Sequence, residues 1–342
     1  MNPYEPDMLS PVPKTLASCR LPYSLTWEDL QPILPGFNQQ HTSQAQAFSS
    51  HEKQGLHGGD NSCILTLRYP SGKNSFQSKV VFIKFQSDPQ KEEAQKYRFL
   101  SSQGVPTPHL LVALRKEKAE VIILEFLAQI GIDFHSASEV DSLLKLLAQV
   151  NALPQLVGLF PQIPGMAQAD FDVLVHRALS ELSHAQTQPK IDAPSWFETY
   201  QAAQTAAQTM PLAVNHNEFY FQQTGWAQRG AGRKLVIFDL ETMSLRPRFT
   251  DIANILYPLA KYSGRAQAAL FKVYLDALLQ SKNIIVDFDA ALRELRLLRV
   301  VEICYSLPWL VDAAKQPESI DLQESLSMAV SCLRDDLSAL GF

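Results

Sequence analysis

Residues 213–223 read AVNHNEFYFQQ and residues 234–253 read KLVIFDLETMSLRPRFTDIA, and the architecture turns on these two stretches. The first places an acid and an amide five positions apart, Glu218 and Gln223. The second opens on a short apolar run that reads as a strand and ends on Asp239, so a strand delivers a carboxylate to the turn that follows. Taken singly, Glu218 is better read as a solvated loop acid and Asp239 as a turn acid. Their order and spacing, together with a lysine far upstream, change that weighting.

The lysine is Lys84, inside VVFIKF at 80–85, where period-2 alternation puts it on the face of Val80 and Phe82. A lysine in such a run is costly unless its ammonium finds a partner or reaches water. Glu92 and Glu93 follow eight and nine residues on, at the start of a helical stretch. A carboxylate from a helix packed over the strand would hold Lys84 toward a phosphate. Phosphoryl transfer needs a carboxylate near the acceptor hydroxyl, oxygen ligands for Mg²⁺ and a cation on the phosphates. Glu218, Asp239 with Gln223, and Lys84 supply one candidate for each.

Upstream of Lys84, residues 1–48 carry several prolines and a short helical signal over 24–37 that Thr26 can cap. A polar stretch with Gly55, Gly58 and Gly59 leads into CILTLRY at 63–69, which should pair with KVVFIKF at 79–85 as a hairpin. A helix of about four turns is predicted from a cap at Asp88 and Pro89 at the first position to Gly104. HLLVAL at 109–114 and VIILEFL at 121–127 bracket RKEKAE as a second hairpin. After Leu127 the period becomes helical: Val140, Leu143, Leu144, Leu147 and Val150 share one face, and 193–210, 265–280, 289–312 and 321–338 repeat the pattern around the β-like island KLVIFDL. The expected domains are therefore an arm at 1–48, a sheet-plus-helix lobe at 49–127 and a helical lobe at 128–342, joined near 124–128. The fold class is α+β and two-lobed, with a small antiparallel sheet and a larger helical part.

Composition narrows the function. The 342 residues are 46% hydrophobic and carry a net charge of −5, which offers no general attraction to nucleic acid or anionic lipid. Cys19, Cys63, Cys304 and Cys332 lack CxxC spacing and disulfide density, the N-terminus lacks an apolar signal segment, and no stretch approaches eighteen uncharged apolar residues. A cytoplasmic protein, monomer or homodimer, that spans no membrane is expected. The eight histidines show no paired metal spacing, so zinc is not expected.

The order of glycine-rich turn, strand lysine, helix glutamate, apolar hinge, His-x-acid-x4-amide and strand aspartate resembles the aminoglycoside phosphotransferase and choline kinase-like family, which has a protein-kinase-like fold. The resemblance runs from about Gly55 to the C-terminus and includes GVPTP at 104–108. It implies ATP and Mg²⁺ as cofactors, with Gly58 and Gly59 approaching the nucleotide, Lys84 on its phosphates, Glu93 as partner of Lys84, and the hinge Glu125, Phe126 and Leu127 meeting the adenine. It implies Glu218 as the catalytic carboxylate, His216 as support of the catalytic loop, Asp239 and Gln223 as Mg²⁺ ligands, and Asp251 as the acid that braces the loop. The implied partners are a nucleotide and a small hydroxylated acceptor such as an amino sugar or amino alcohol.

The sequence departs from the family at informative places. Glu218 and Gln223 stand where the family has aspartate and asparagine, each reaching one methylene, about an ångström, further, and misplacement on that scale can cost roughly a hundredfold in rate. Asn217 replaces a glycine, Tyr220, Phe221 and Gln222 replace His-Pro-Gly, and Asn151 stands where histidine is frequent. Two readings follow: a small-molecule kinase, or a weak or inactive pseudokinase that binds nucleotide or a protein partner. Transfer to a protein side chain is weaker, because no APE-type activation segment follows Asp239.

Overall fold

A computed structural model describes residues 14–15, 30, 46–51, 62–70, 76–86, 92–116, 119–162, 168–184, 191–282, 286–315 and 320–341. Outside these lie Gly58 and Gly59, the Asp88 and Pro89 helix start, and the 24–37 helical signal except for Leu30, which is helical and buried. The chain forms two compact units of mixed α and β structure, Met1–Ile130 with Gly225–Glu241, and Gly131–Thr224 with Thr242–Phe342.

The first unit is built on an antiparallel sheet of six strands in the order β1-β2-β3-β4-β6-β5. These are β1 (Lys14–Thr15), β2 (Gln46–His51), β3 (Ser62–Pro70), β4 (Phe76–Gln86), β5 (Leu110–Lys116) and β6 (Ala119–Glu125). β4 lies inside the sheet, with Lys84 opposite Ser62 on one side and Ile122 on the other. Alternation along β4 buries Val81, Ile83 and Phe85 on one face, and places Phe82, Lys84 and Gln86 on the other.

Helix α1 (Glu93–Ser102) follows β4. It has ten residues, under three turns, where the sequence predicted about four. The reason lies at Glu92, whose φ of 49° is in the left-handed region and cannot continue into a right-handed helix. The far end closes as read from the sequence: Gly104 adopts φ 75°, its N–H donates to Ser101 O, and Val105 N–H donates to Leu100 O, while Val105 and Leu100 are both buried. This is a Schellman closure.

The expected boundary near 127 placed everything beyond it with the helices, and here the structure differs. β9 (Thr224–Arg229) and β10 (Gly232–Ile237) turn at Gly230 and form a three-stranded sheet with β7 (Gln129–Ile130), which brings Gly225–Glu241 into the first unit. β9 pairs with β7 through Trp226 and Gly225, Ile237 N–H donates to Pro106 O, and Arg229 bonds Glu125 at 2.8 Å and Thr107 O at 3.0 Å. A Cβ at Gly225 would come within 2.9 Å of Gln129 O, so close pairing there requires glycine.

The second unit holds α2 (Ala137–Asn151), α3 (Gln168–His184), α4 (Ala193–Ala207), α5 (Thr250–Ser263), α6 (Gln267–Lys282), α7 (Phe288–Ala314) and α8 (Ile320–Leu340), with a ribbon of β8 (Leu212–Asn215) against β11 (Ser244–Pro247). Val140, Leu143, Leu144, Leu147 and Val150 are all fully buried on α2. α7 is the hub, packing against α3, α4, α5 and α8. Its Arg299 pairs with Asp336 of α8, and both are buried. Among the described residues no helix is long and apolar enough to cross a membrane.

Because Gly104 must adopt a left-handed conformation, Gly104→Ala should destabilise the fold by roughly 1–2 kcal/mol, measured by denaturant unfolding.

Candidate functional site

Lys84, Gln86 and the first turn of α1 meet the turn after β10. The Lys84 ammonium lies 3.0 Å from Glu93, 2.6 Å from Asp239 and 3.1 Å from Glu241. Glu93 is fully buried, Lys84 is 12% exposed and Asp239 33%. Glu93 does more than pair with Lys84: its other oxygen accepts the Leu240 N–H at 2.9 Å, so it fixes the backbone next to Asp239. Asp239 itself has φ 64°, a conformation short polar side chains tolerate, and its N–H donates to the Tyr97 hydroxyl oxygen at 3.1 Å.

Two further side chains complete this cluster. Gln86, two positions from Lys84 on the same strand face, donates from Nε2 to both Glu93 and Glu241, and its Oε1 is buried without a hydrogen-bond partner. Lys96, buried on α1, donates to Glu241 O at 2.6 Å. Burial pushes the Lys84 ammonium toward losing its proton, but the carboxylates of Glu93, Asp239 and Glu241 outweigh it and hold the pKa well above the ordinary lysine value. Burial pushes Glu93 above the usual carboxylate range, opposed by Lys84. Tyr97 is raised by burial and by the Glu93 carboxylate.

The remaining nucleotide-binding candidates of this unit lie at the end of β6. Glu125 accepts from His109 N–H at 3.1 Å and from Arg229 at 2.8 Å; burial would raise its pKa, but Arg229 and that N–H hold it below the usual range. Phe126 and Leu127 follow, half-buried and outside the strand.

In the second unit the organising residue is Asp251, in the first turn of α5. Its buried carboxylate accepts the His216 N–H at 2.7 Å, the Asn217 N–H at 3.0 Å and, at 3.5 Å, the Asn151 amide. Burial pushes Asp251 up, opposed by the His216 side chain and by these donors. Asn151 in turn donates to Val214 O at 2.8 Å and accepts from the Tyr274 hydroxyl at 2.8 Å. His216 is fully buried with its ring edge-on to Phe219, which suits support better than proton transfer to a solute.

Glu218 and Tyr220 are exposed, Tyr220 at 60%, while Phe219 between them is buried. Tyr220 N–H donates to Gln223 Oε1 at 3.0 Å, so the Gln223 amide oxygen caps its own short turn at 221–223. Phe221 packs edge-on to Phe134.

The structure thus brings Lys84, Glu93 and Asp239 together in one unit, and His216, Glu218, Gln223 and Asp251 onto one loop system in the other. Sequence reading missed Glu241, Gln86, Tyr97, Thr242 and Ser244. Glu241 had a signal, an acid two positions after Asp239; Gln86 had one too, a polar residue in phase with Lys84.

No family profile matches the sequence, and no curated protein is recognisably similar to it. Solved structures are similar in fold. An aminoglycoside phosphotransferase from Alicyclobacillus acidocaldarius superposes with TM-score 0.54 at 13% identity, covering 86% of this chain and 91% of that one. A choline kinase from Cryptosporidium parvum gives 0.52 at 12% identity over 91% and 93%. A Plasmodium vivax ethanolamine kinase gives 0.50 at 12% identity over 86% and 81%. The chain has their fold, the protein-kinase-like α+β architecture.

Lys84→Met leaves Glu93 buried without its ammonium and should cost about 3–5 kcal/mol. Glu93 then takes a proton more readily when folded than when unfolded, so the deficit of the variant should widen as pH rises from about 4 through 8. Thermal melts across that range, beside a Lys84→Met/Glu93→Gln double variant in which the widening disappears, check this.

Proposed function

We propose that the chain is an ATP- and Mg²⁺-dependent phosphotransferase acting on a hydroxyl of a small metabolite such as an amino sugar or amino alcohol. The observation that carries the reading is the Lys84 cluster: one desolvated ammonium held by Glu93 beside two less buried carboxylates, Asp239 and Glu241. A cation fixed beside hard oxygen donors is what nucleotide triphosphate with Mg²⁺ requires. Among the described residues no group of three or more His, Cys, Asp or Glu side chains is spaced to hold a metal ion alone. Mg²⁺ takes one or two protein carboxylates and completes its octahedron with water and phosphate.

Under this reading Lys84 binds the phosphates and Glu93 keeps it oriented. Asp239 and Gln223 would hold the metal, and Glu241, which shares the Lys84 ammonium with Asp239, is a further candidate ligand; the Gln223 oxygen, which accepts from Tyr220 N–H, keeps one lone pair for it. Gly58, Gly59 and the backbone of Glu125, Phe126 and Leu127 meet the nucleotide. Bound Mg²⁺ neutralises charge on the phosphates during transfer. Glu218 orients the acceptor hydroxyl and takes its proton as the acceptor oxygen bonds to phosphorus and the diphosphate leaves. Its exposure suits a group that must meet a diffusing acceptor. His216 and Asp251 hold that loop in place. The buried thiols Cys304 and Cys332, both free, fit a reducing cytoplasm.

A pseudokinase that binds nucleotide or a protein partner is the second reading, favoured by the commitment of the Gln223 oxygen to its own turn and by the longer Glu218.

The two separate in one experiment. ATP turnover is measured against amino sugars, amino alcohols and nucleosides, with Glu218→Ala as control, and Mg²⁺-ATP stabilisation is measured by thermal shift. A kinase gives turnover with one acceptor class that falls at least about a hundredfold in Glu218→Ala. Stabilisation without turnover supports the nucleotide-binding pseudokinase, and no shift at millimolar Mg²⁺-ATP counts against the kinase and the nucleotide-binding pseudokinase alike.

A further inference from the structure

Asn217 stands beside Glu218 with φ 72°, a left-handed conformation that glycine adopts freely and asparagine tolerates. Its backbone N–H goes to Asp251. Its side chain turns back across the loop, and Nδ2 donates to Thr242 O at 2.5 Å and to Ser244 Oγ at 2.7 Å. Thr242 returns a bond, its hydroxyl donating to His216 O at 2.9 Å. The amide orientation is fixed by chemistry, since the Thr242 carbonyl can only accept and must face the nitrogen.

We propose that Asn217 is a positioning residue: with Thr242 it clamps the loop that carries Glu218 to the 242–244 segment, setting where the longer acid ends. The inference rests on the phosphotransferase reading above. Three features support it. Glycine would relieve the left-handed backbone and remove the Asn217 Oδ1, which is buried without a hydrogen-bond partner, so what the asparagine side chain adds is the pair of bonds from its Nδ2. The clamp grips both sides of the His216–Asn217 peptide, so the backbone entering Glu218 is held from the 242–244 segment as well as from Asp251. The anchoring carbonyl belongs to Thr242, which directly follows Glu241 in the chain, so the loop of the proposed base is tied to the residue next to a proposed metal ligand. A glutamate has one more rotatable bond than an aspartate, and a loop fixed at the preceding residue limits where that extra freedom can take the carboxylate.

The test uses the full chain with Asn217→Gly and Thr242→Val, which each remove one limb of the clamp. Amide hydrogen exchange at residues 216–218 is read beside steady-state kinetics. Expected is exchange at 216–218 faster by about tenfold or more in Asn217→Gly, with the chain still unfolding in one cooperative transition. Turnover should fall roughly ten- to a hundredfold at unchanged KM for Mg²⁺-ATP. Thr242→Val should shift exchange and turnover in the same direction. Unchanged exchange in both variants overturns the clamp, and faster exchange with undiminished turnover overturns its positioning role. If the unaltered chain phosphorylates no acceptor, the phosphotransferase reading and the positioning role fall together, while the exchange data still decide the clamp.

Discussion

The Lys84 ammonium is largely removed from water, and much of the first unit is arranged around that fact. Removing a charge from water costs several kcal/mol unless partners of opposite sign replace the lost hydration. Three carboxylates do so here, and they come from α1 and from the turn after β10. The requirement reaches into local structure. β4 must lie inside the sheet to aim Lys84, the left-handed Glu92 must start α1 where Glu93 faces the strand, and the 225–241 hairpin must join this unit to present Asp239. Three acids around one ammonium would repel one another, and Gln86 moderates this by donating to two of them without adding charge.

The second unit repeats the principle with the backbone as the positive partner. Asp251 has no lysine; its buried carboxylate is satisfied by two consecutive N–H groups, His216 and Asn217, and by the Asn151 amide. Asn215 ties the start of the same loop, donating to Arg246 O and Pro247 O and accepting the Asp251 N–H. The chain around Glu218 is therefore held by bonds to the main chain, which tolerate substitution of neighbouring side chains better than side-chain pairs do. That is how a loop reading HNEFYFQQ keeps a defined path despite bulky residues at 219–221.

What the sequence made legible follows from the range of each signal. Period-2 and period-3.6 patterns are local, so the strands around Lys84 and the α2 face of Val140 to Val150 were readable. α3 was equally readable in principle, since Phe171, Val175, Ala178, Leu179 and Leu182 repeat at helical spacing, but no clear cap marks its start. The placement of Gly225–Glu241 was not readable, because β9 pairs with the two-residue β7 and nothing in its own residues names that partner. The roles of Gln86 and Asn217 were hidden for another reason: an amide becomes a positioning device only when its acceptors are known, and Glu241, Thr242 and Ser244 are distant in sequence.

The two clusters share a gradient. Glu93 and Asp251 are fully buried and satisfied by donors that cannot leave, whereas Asp239 and Glu218 are a third or more exposed. A buried carboxylate costs stability when ionised, which is why burial pushes both buried acids up. An acid partly open to solvent carries less of that cost but is also less firmly placed. Pairing one of each kind resolves the conflict. Glu93 accepts the N–H of Leu240, the residue after Asp239, and Asp251 accepts the N–H of Asn217, the residue before Glu218. The immobile carboxylate thus fixes the backbone next to the accessible one, leaving only side-chain torsions for the exposed acid to settle. A glutamate at 218 has one torsion more than an aspartate would have, and it is beside it, in the second unit, that Asn217 adds its bonds to Thr242 and Ser244.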